Sequence, residues 1–302
     1  AGTGGLDVDA DSGSTIEIEL TTSGAARVDY ESTDADALTL DIDNATINGD
    51  VVFVSGATGT LSLTDTDINA GSLTVTSGGA INLNQRLDLT DGAGDVTLTA
   101  TTSGIVLGNA DDLIDAGAGT VTLNATAGAI TALEATGDGG TEINTSGAII
   151  FNAASVGTSG NQVGFENATS LTIMDGGGTG TDVELQELGA ATTVTAIDIT
   201  SASATAGGIT IDLLGGNDVA IAEGHVLTTV TLNDATTSAT FTYTATAGDI
   251  AVGSIDTRDQ AITLTAASGG IDEVGNNTTA KITTSDTLTL LATGGAIGDN
   301  AN

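Results

Sequence analysis

GITID (Gly208–Asp212), DVAIA (Asp218–Ala222), TVTLN (Thr229–Asn233), TFTYT (Thr240–Thr244), DIAVG (Asp249–Gly253) and AITLT (Ala261–Thr265) are one short phrase repeated through a single stretch. Each is apolar at alternate positions, the period of a half-buried strand rather than of a helix. The leading apolar residues fall into two interleaved series. Ile209, Val230, Ile250 and Ile271 are spaced by about 21 residues, and so are Val219, Phe241, Ile262 and Ile282. Two strands per repeat of that length predict a chain that winds around an axis, each turn stacking on the last. The expected fold is all-β: a parallel β-helix (β-solenoid).

The same phase extends outward to both ends. Ile16, Leu38 and Leu61 lie about 22 and 23 residues apart. Leu73, Val96, Val121, Ile149 and Leu171 lead further strands at intervals of about 22–28, so loops of varying length interrupt a constant core. Glycine pairs such as Gly78–Gly79 and Gly269–Gly270 separate strands where the chain turns corners. The pattern is weakest at 175–190, where Gly176–Gly178 and TDVELQELGAA read as an insertion or irregular coil. With no linker-like composition elsewhere, residues 1–302 are expected to form one solenoid domain. Dividing the length by the period gives roughly 13 coils of about 20–28 residues, a rod about 60 Å long. Asn82, Asn124 and Asn152 are candidate rungs of an asparagine ladder.

Forty acidic residues against four basic ones leave a net charge of −36. Such a surface repels nucleic acid and anionic membranes, which need Lys and Arg, and it attracts cations. No apolar run is long enough to span a bilayer. Cysteine and proline are absent. A solenoid needs no disulfides, since each turn buries its own layer, and its ladder needs every backbone N–H. The chain starts with Ala and carries no charged-then-apolar leader, which suggests a processed protein or an excised piece of a longer one.

The phrases SLTVTSGGAINLN (Ser72–Asn84), DVTLTATTSGIVLG (Asp95–Gly108), TVTLNATAGAI (Thr120–Ile130) and LTLLATGGAIGDNAN (Leu288–Asn302) resemble the strand repeats of very large bacterial surface proteins similar to filamentous-haemagglutinin-type adhesins. The resemblance implies a right-handed parallel β-helix, export to the cell surface, and a role in adhesion, biofilm or fibre formation. It carries no catalytic residues.

An enzyme is not expected. The single histidine, His225, reads as a surface turn residue, and there is no cysteine nucleophile or zinc cluster. Polysaccharide-cleaving β-helices work with carboxylates and usually offer aromatic platforms. Here Phe53, Phe151, Phe165 and Phe241 fall on apolar phases and belong in the core, and tryptophan is absent. Calcium is the stronger chemical expectation. Asp7, Asp9 and Asp11, the pair Asp41 and Asp43, and the pair Asp65 and Asp67 share D-x-D spacing, as do Asp34 and Asp36. On a strand that spacing sets two carboxylates on one face, and stacking brings a third, an oxygen cluster suited to Ca²⁺. The Asp7 stretch begins like an EF-hand loop but has Ser12 in place of the turn glycine and Ile18 in place of the bidentate glutamate. GGNDVAIAEG (Gly215–Gly224) partly matches a calcium-binding glycine-rich nonapeptide. Outward threonines in TVT, TLT and TFTYT suggest a flat array of the kind that binds ice, although the variation in coil length argues against flat columns. The expected partners are cations and further copies of the chain, joined head to tail through the open backbone of the end coils.

Overall fold

In a computed structural model, the described residues are 15–19, 24–30, 34–42, 49–68, 71–89, 94–108, 113–133, 140–175, 182–188, 194–201, 209–213, 217–222, 225–232, 240–258, 260–275 and 281–298. They form a β-solenoid: one sheet of 28 strands, with no helix among them. Nearly all pairings are parallel, each strand lying on the one a turn earlier.

Three faces run along the rod. On the first, eleven strands stack in an unbroken series from Ala26–Tyr30 and Val51–Ser55 through to Ala261–Ala266 and Leu288–Ala292. Leu73, Val96, Val121, Ile149 and Leu171 are successive Cα partners there, as their spacing predicts. The second face carries Ile16, Leu38, Leu61, Ile81, Ile105, Ile130, Val156, Val183 and Ile209 in one file. The third is shorter, with Thr66, Leu87, Ile114, Ile143 and Phe165 aligned. Eleven strands are fewer than the roughly 13 coils expected, and ten spacings of about 4.8 Å make the first face about 48 Å long.

Most first-face strands point three residues inward, although the first ends on the large Tyr30 and the last leaves Leu288 exposed. The first two are large, as in Leu73 and Val75 or Phe241 and Tyr243. The third is small, as in Ser77, Ala100, Ala125, Ala245 and Ala266. Phe53, Phe151, Phe165 and Phe241 are all fully buried. Burying one such side chain contributes about 1.5–3 kcal/mol, so each turn adds its own increment. The small third residue lets the chain bend. Ser55 and Ser77 turn the corner by accepting, through Oγ, the N–H of Ala57 at 3.1 Å and of Gly79 at 3.2 Å. A Cβ on Gly79 would strike the carbonyl oxygen of Gly59 on the previous turn, so only glycine lets the corners stack.

Side chains also bond between turns. Asp50 Oδ1 accepts the N–H of Ser72 at 3.0 Å, Ser72 Oγ accepts that of Asp95 at 3.2 Å, and Asp95 Oδ1 accepts that of Thr120 at 2.7 Å. These residues precede four successive first-face strands and stitch one corner from turn to turn. At other corners a hydroxyl donates to the carbonyl of the turn before: Thr101 to Ser77 at 3.1 Å, Thr169 to Gly147 at 3.0 Å, Thr195 to Thr169 at 2.9 Å.

Three expectations are corrected. TDVELQELGAA is no interruption where it is described. Asp182–Glu187 is a strand that pairs in parallel with residues on both neighbouring turns. The irregularity lies further on. Ile209–Leu213 pairs antiparallel with Asn217–Ala222, which pairs antiparallel with Val226–Thr231 before the stack resumes. Only Leu214–Gly216 separates the first two strands, too short a connection for a parallel crossover. The interleaved series therefore breaks. Val219 lies opposite Ile211 and Val230 and is not in the file of Phe241 and Ile262, while Ile282 stacks on Ile255. Ile250 and Ile271 do stack. The asparagine ladder is reduced to Asn124 and Asn152, because Asn82 lies on the second face between Ser62 and Val106.

Candidate functional site

The predicted calcium ligands are not brought together among the described side chains. Asp7, Asp9, Asp11 and Asp43 lie outside the described residues, as do the side chains of Asp65 and Asp67. Asp41 is half-buried on strand Ala37–Ile42, its Cα partners being Glu19 and Thr64. The register shifts beside it, Asp41 facing Thr64 and Ile42 facing Thr66, so a bulge falls at Asp65. Asp34 and Asp36 part ways: Asp34 is exposed, whereas Asp36 is fully buried and accepts a 2.8 Å hydrogen bond from the Tyr30 hydroxyl. No group of three His, Cys, Asp or Glu able to hold a metal occurs among the described residues.

Stacking does create an acidic file, on the third face. Asp67, Asp88 and Asp115 are consecutive Cα partners, followed by Asn144 and Glu166. Arg86 lies across it, with Nη2 2.5 Å from Asp115 Oδ2 and 3.4 Å from Asp88 Oδ2. One of only four basic side chains thus offsets the repulsion of two stacked carboxylates. The sequence signal was faint, because these residues are 21 to 29 positions apart and meet only once the register is known.

A second polar group sits between the second and third faces. Gln162 is 8% exposed, and its Nε2 donates to Asp212 Oδ2 at 2.8 Å and to Glu184 Oε2 at 3.5 Å. Burial pushes the Glu184 carboxyl up. Gln162 pulls it back, Asp212 raises it, Thr210 lowers it and Asp182 raises it. Nearby, Glu142 is buried and its Oε2 accepts the Gly164 N–H at 2.5 Å, while Glu187 takes an inward position in the file of Phe165.

His225 does not lie on the surface. It occupies a turn with φ 60° before Val226–Thr231, yet it is fully buried, with Nδ1 2.7 Å from the Tyr243 hydroxyl. The antiparallel hairpin drives it inward. Tyr243 stands in a middle inward position that other first-face strands fill with Phe, Leu, Val or Ile. Its hydroxyl crosses the core to the imidazole, and burial pushes its ionisation up.

The last described turn leaves large apolar side chains exposed. Leu288, Leu291 and Ile297 are 43%, 49% and 49% exposed. Behind them a cavity of about 350 Å³ is lined by Val252, Ile271, Ile282, Leu290 and Ile297, with Lys281 at its edge. Strand Leu288–Ala292 has one described neighbour on the first face, Ala261–Ala266, so its outer edge is open among the described residues.

Compared with family models, with curated proteins and with solved structures, the chain matches none.

Proposed function

We propose that this chain is a non-enzymatic structural protein of the bacterial cell exterior, a β-solenoid segment of a surface fibre or adhesin that joins end to end with further copies. The open last turn carries the reading. An uncovered strand edge beside exposed Leu288, Leu291 and Ile297 is a template for one more turn. The first described turn of a second copy has the matching phase. Continuing the second-face file sets Ile16 of that copy over Ile297. The excess of carboxylates keeps such rods apart sideways and leaves the ends as the route of association.

Electron microscopy of the purified chain, in calcium and again in chelator, tests this. Filaments of uniform width are expected, and Ile297→Asp, at an exposed position, abolishes them by setting a charge in the junction. Loss of filaments in chelator assigns cations to the junctions. Separate rods at every concentration, with and without calcium, overturn end-to-end joining.

A further inference from the structure

The outward side of the first face departs from the rest of the surface. Its two outward files hold Thr74, Thr97 and Thr122 beside Thr76 and Thr99, and further along Thr242, Thr263 and Thr289 beside Thr244 and Thr265. Each patch thus fills five of six outward positions on three successive strands with threonine. The variation in coil length does not disturb them. It is confined to the loops, and the strands bearing these residues pair without a register shift within either patch. Uneven coils therefore leave the columns in register on this face.

Two independent observations set these threonines apart. The first is charge. From Val51–Ser55 to Leu288–Ala292 these two files contain one charged residue, Asp198, although the chain carries 40 acids. The second is hydrogen bonding. The corner hydroxyls of Thr101, Thr145, Thr169 and Thr195 are used within the protein, donating to carbonyls of the preceding turn. Of the ten face threonines, only Thr99 has a hydroxyl bonded within the chain, where it accepts from Asn124 Nδ2 at 3.2 Å. The others are partly or fully exposed, their hydroxyls turned to water.

We infer that these two patches bind ice. Hydroxyl and methyl groups recur about every 4.8 Å from turn to turn and about 6.6 Å along each strand. That is a rigid two-dimensional grid comparable to the water lattice of an ice prism face. The methyls confine water between the files, the hydroxyls anchor it, and the absence of carboxylates leaves no strongly hydrated ion to break its order. An ice crystal is the occupant suited to a regularly spaced, neutral, half-apolar surface, and the inference stands whether or not the rods join end to end.

The test is the gap between melting and freezing temperatures of single ice crystals held in solutions of the chain. A gap with faceted crystals is expected. It should be lost in Thr97→Asp/Thr263→Asp and strongly reduced in Thr97→Val/Thr263→Val, which keeps shape and strand propensity if the charged variant misfolds. Thr131→Asp, on the second face, should leave it unchanged. No gap, or a gap that survives both double variants, overturns the inference. So does a chain without a gap that sediments as a side-by-side dimer sensitive to Thr97→Asp, which assigns the face to a second copy instead.

Discussion

A buried imidazole and a buried phenol 2.7 Å apart hold each other in an otherwise apolar core. Tyr243→Phe removes the hydroxyl, keeps the ring, and takes from His225 Nδ1 its partner at that atom. The expected loss is about 1–3 kcal/mol of stability, read by denaturant titration. Glu184 gives a pH signature. Its carboxyl titrates above the usual range, mainly through burial, so between the unfolded and folded values the folded state holds more protons than the unfolded one. Stability contributed at this site is therefore present at low pH and lost as pH rises through the raised value. Glu184→Gln should be more stable than the parent at neutral pH, with the difference shrinking on acidification. Melting curves of both chains at several pH values check this, and because both carry the same general self-repulsion, their difference isolates the site. Neither residue could be placed from sequence. The lone histidine looked like a turn residue, and so it is, but turns face outward only when the strands they join lie in the ordinary stack.

At the scale of the strand and its corner, the Asp50–Ser72–Asp95–Thr120 series carries the next prediction. Asp95→Ala deletes the acceptor of the Thr120 N–H at an exposed position, for an expected loss of about 0.5–1.5 kcal/mol, while Asp95→Asn retains an acceptor and should recover most of it. Equal losses in both variants would show that the carboxylate's charge matters rather than its hydrogen bond. Inward files such as Leu73–Val96–Val121–Ile149–Leu171 were legible because apolar alternation reports burial directly, and burial is what a solenoid repeats. Ile209–Thr231 was not, because alternation is blind to strand direction. The phrases there look like two strands of a turn, and only the short Leu214–Gly216 connection betrays a hairpin.

For the molecule as a whole, period and composition carried the architecture, while candidate sites depended on register. The D-x-D pairs were visible, but the Asp67–Asp88–Asp115 file and Arg86 across it come from residues on different turns. The threonine columns were visible as composition. Their neutrality and unused hydroxyls became visible only once face and corner threonines were told apart. The hairpin has one more effect. On the first face Ile197 stacks directly on Phe241, but on the second, two extra strands lie between Ile209 and Val252. One flank is thereby longer than the other by about 10 Å. Unequal flanks make a wedge, and a wedge bends the axis. Subunits carrying the same bend, joined at a constant angle, would trace a gentle corkscrew rather than a straight line, with the hairpin setting its pitch.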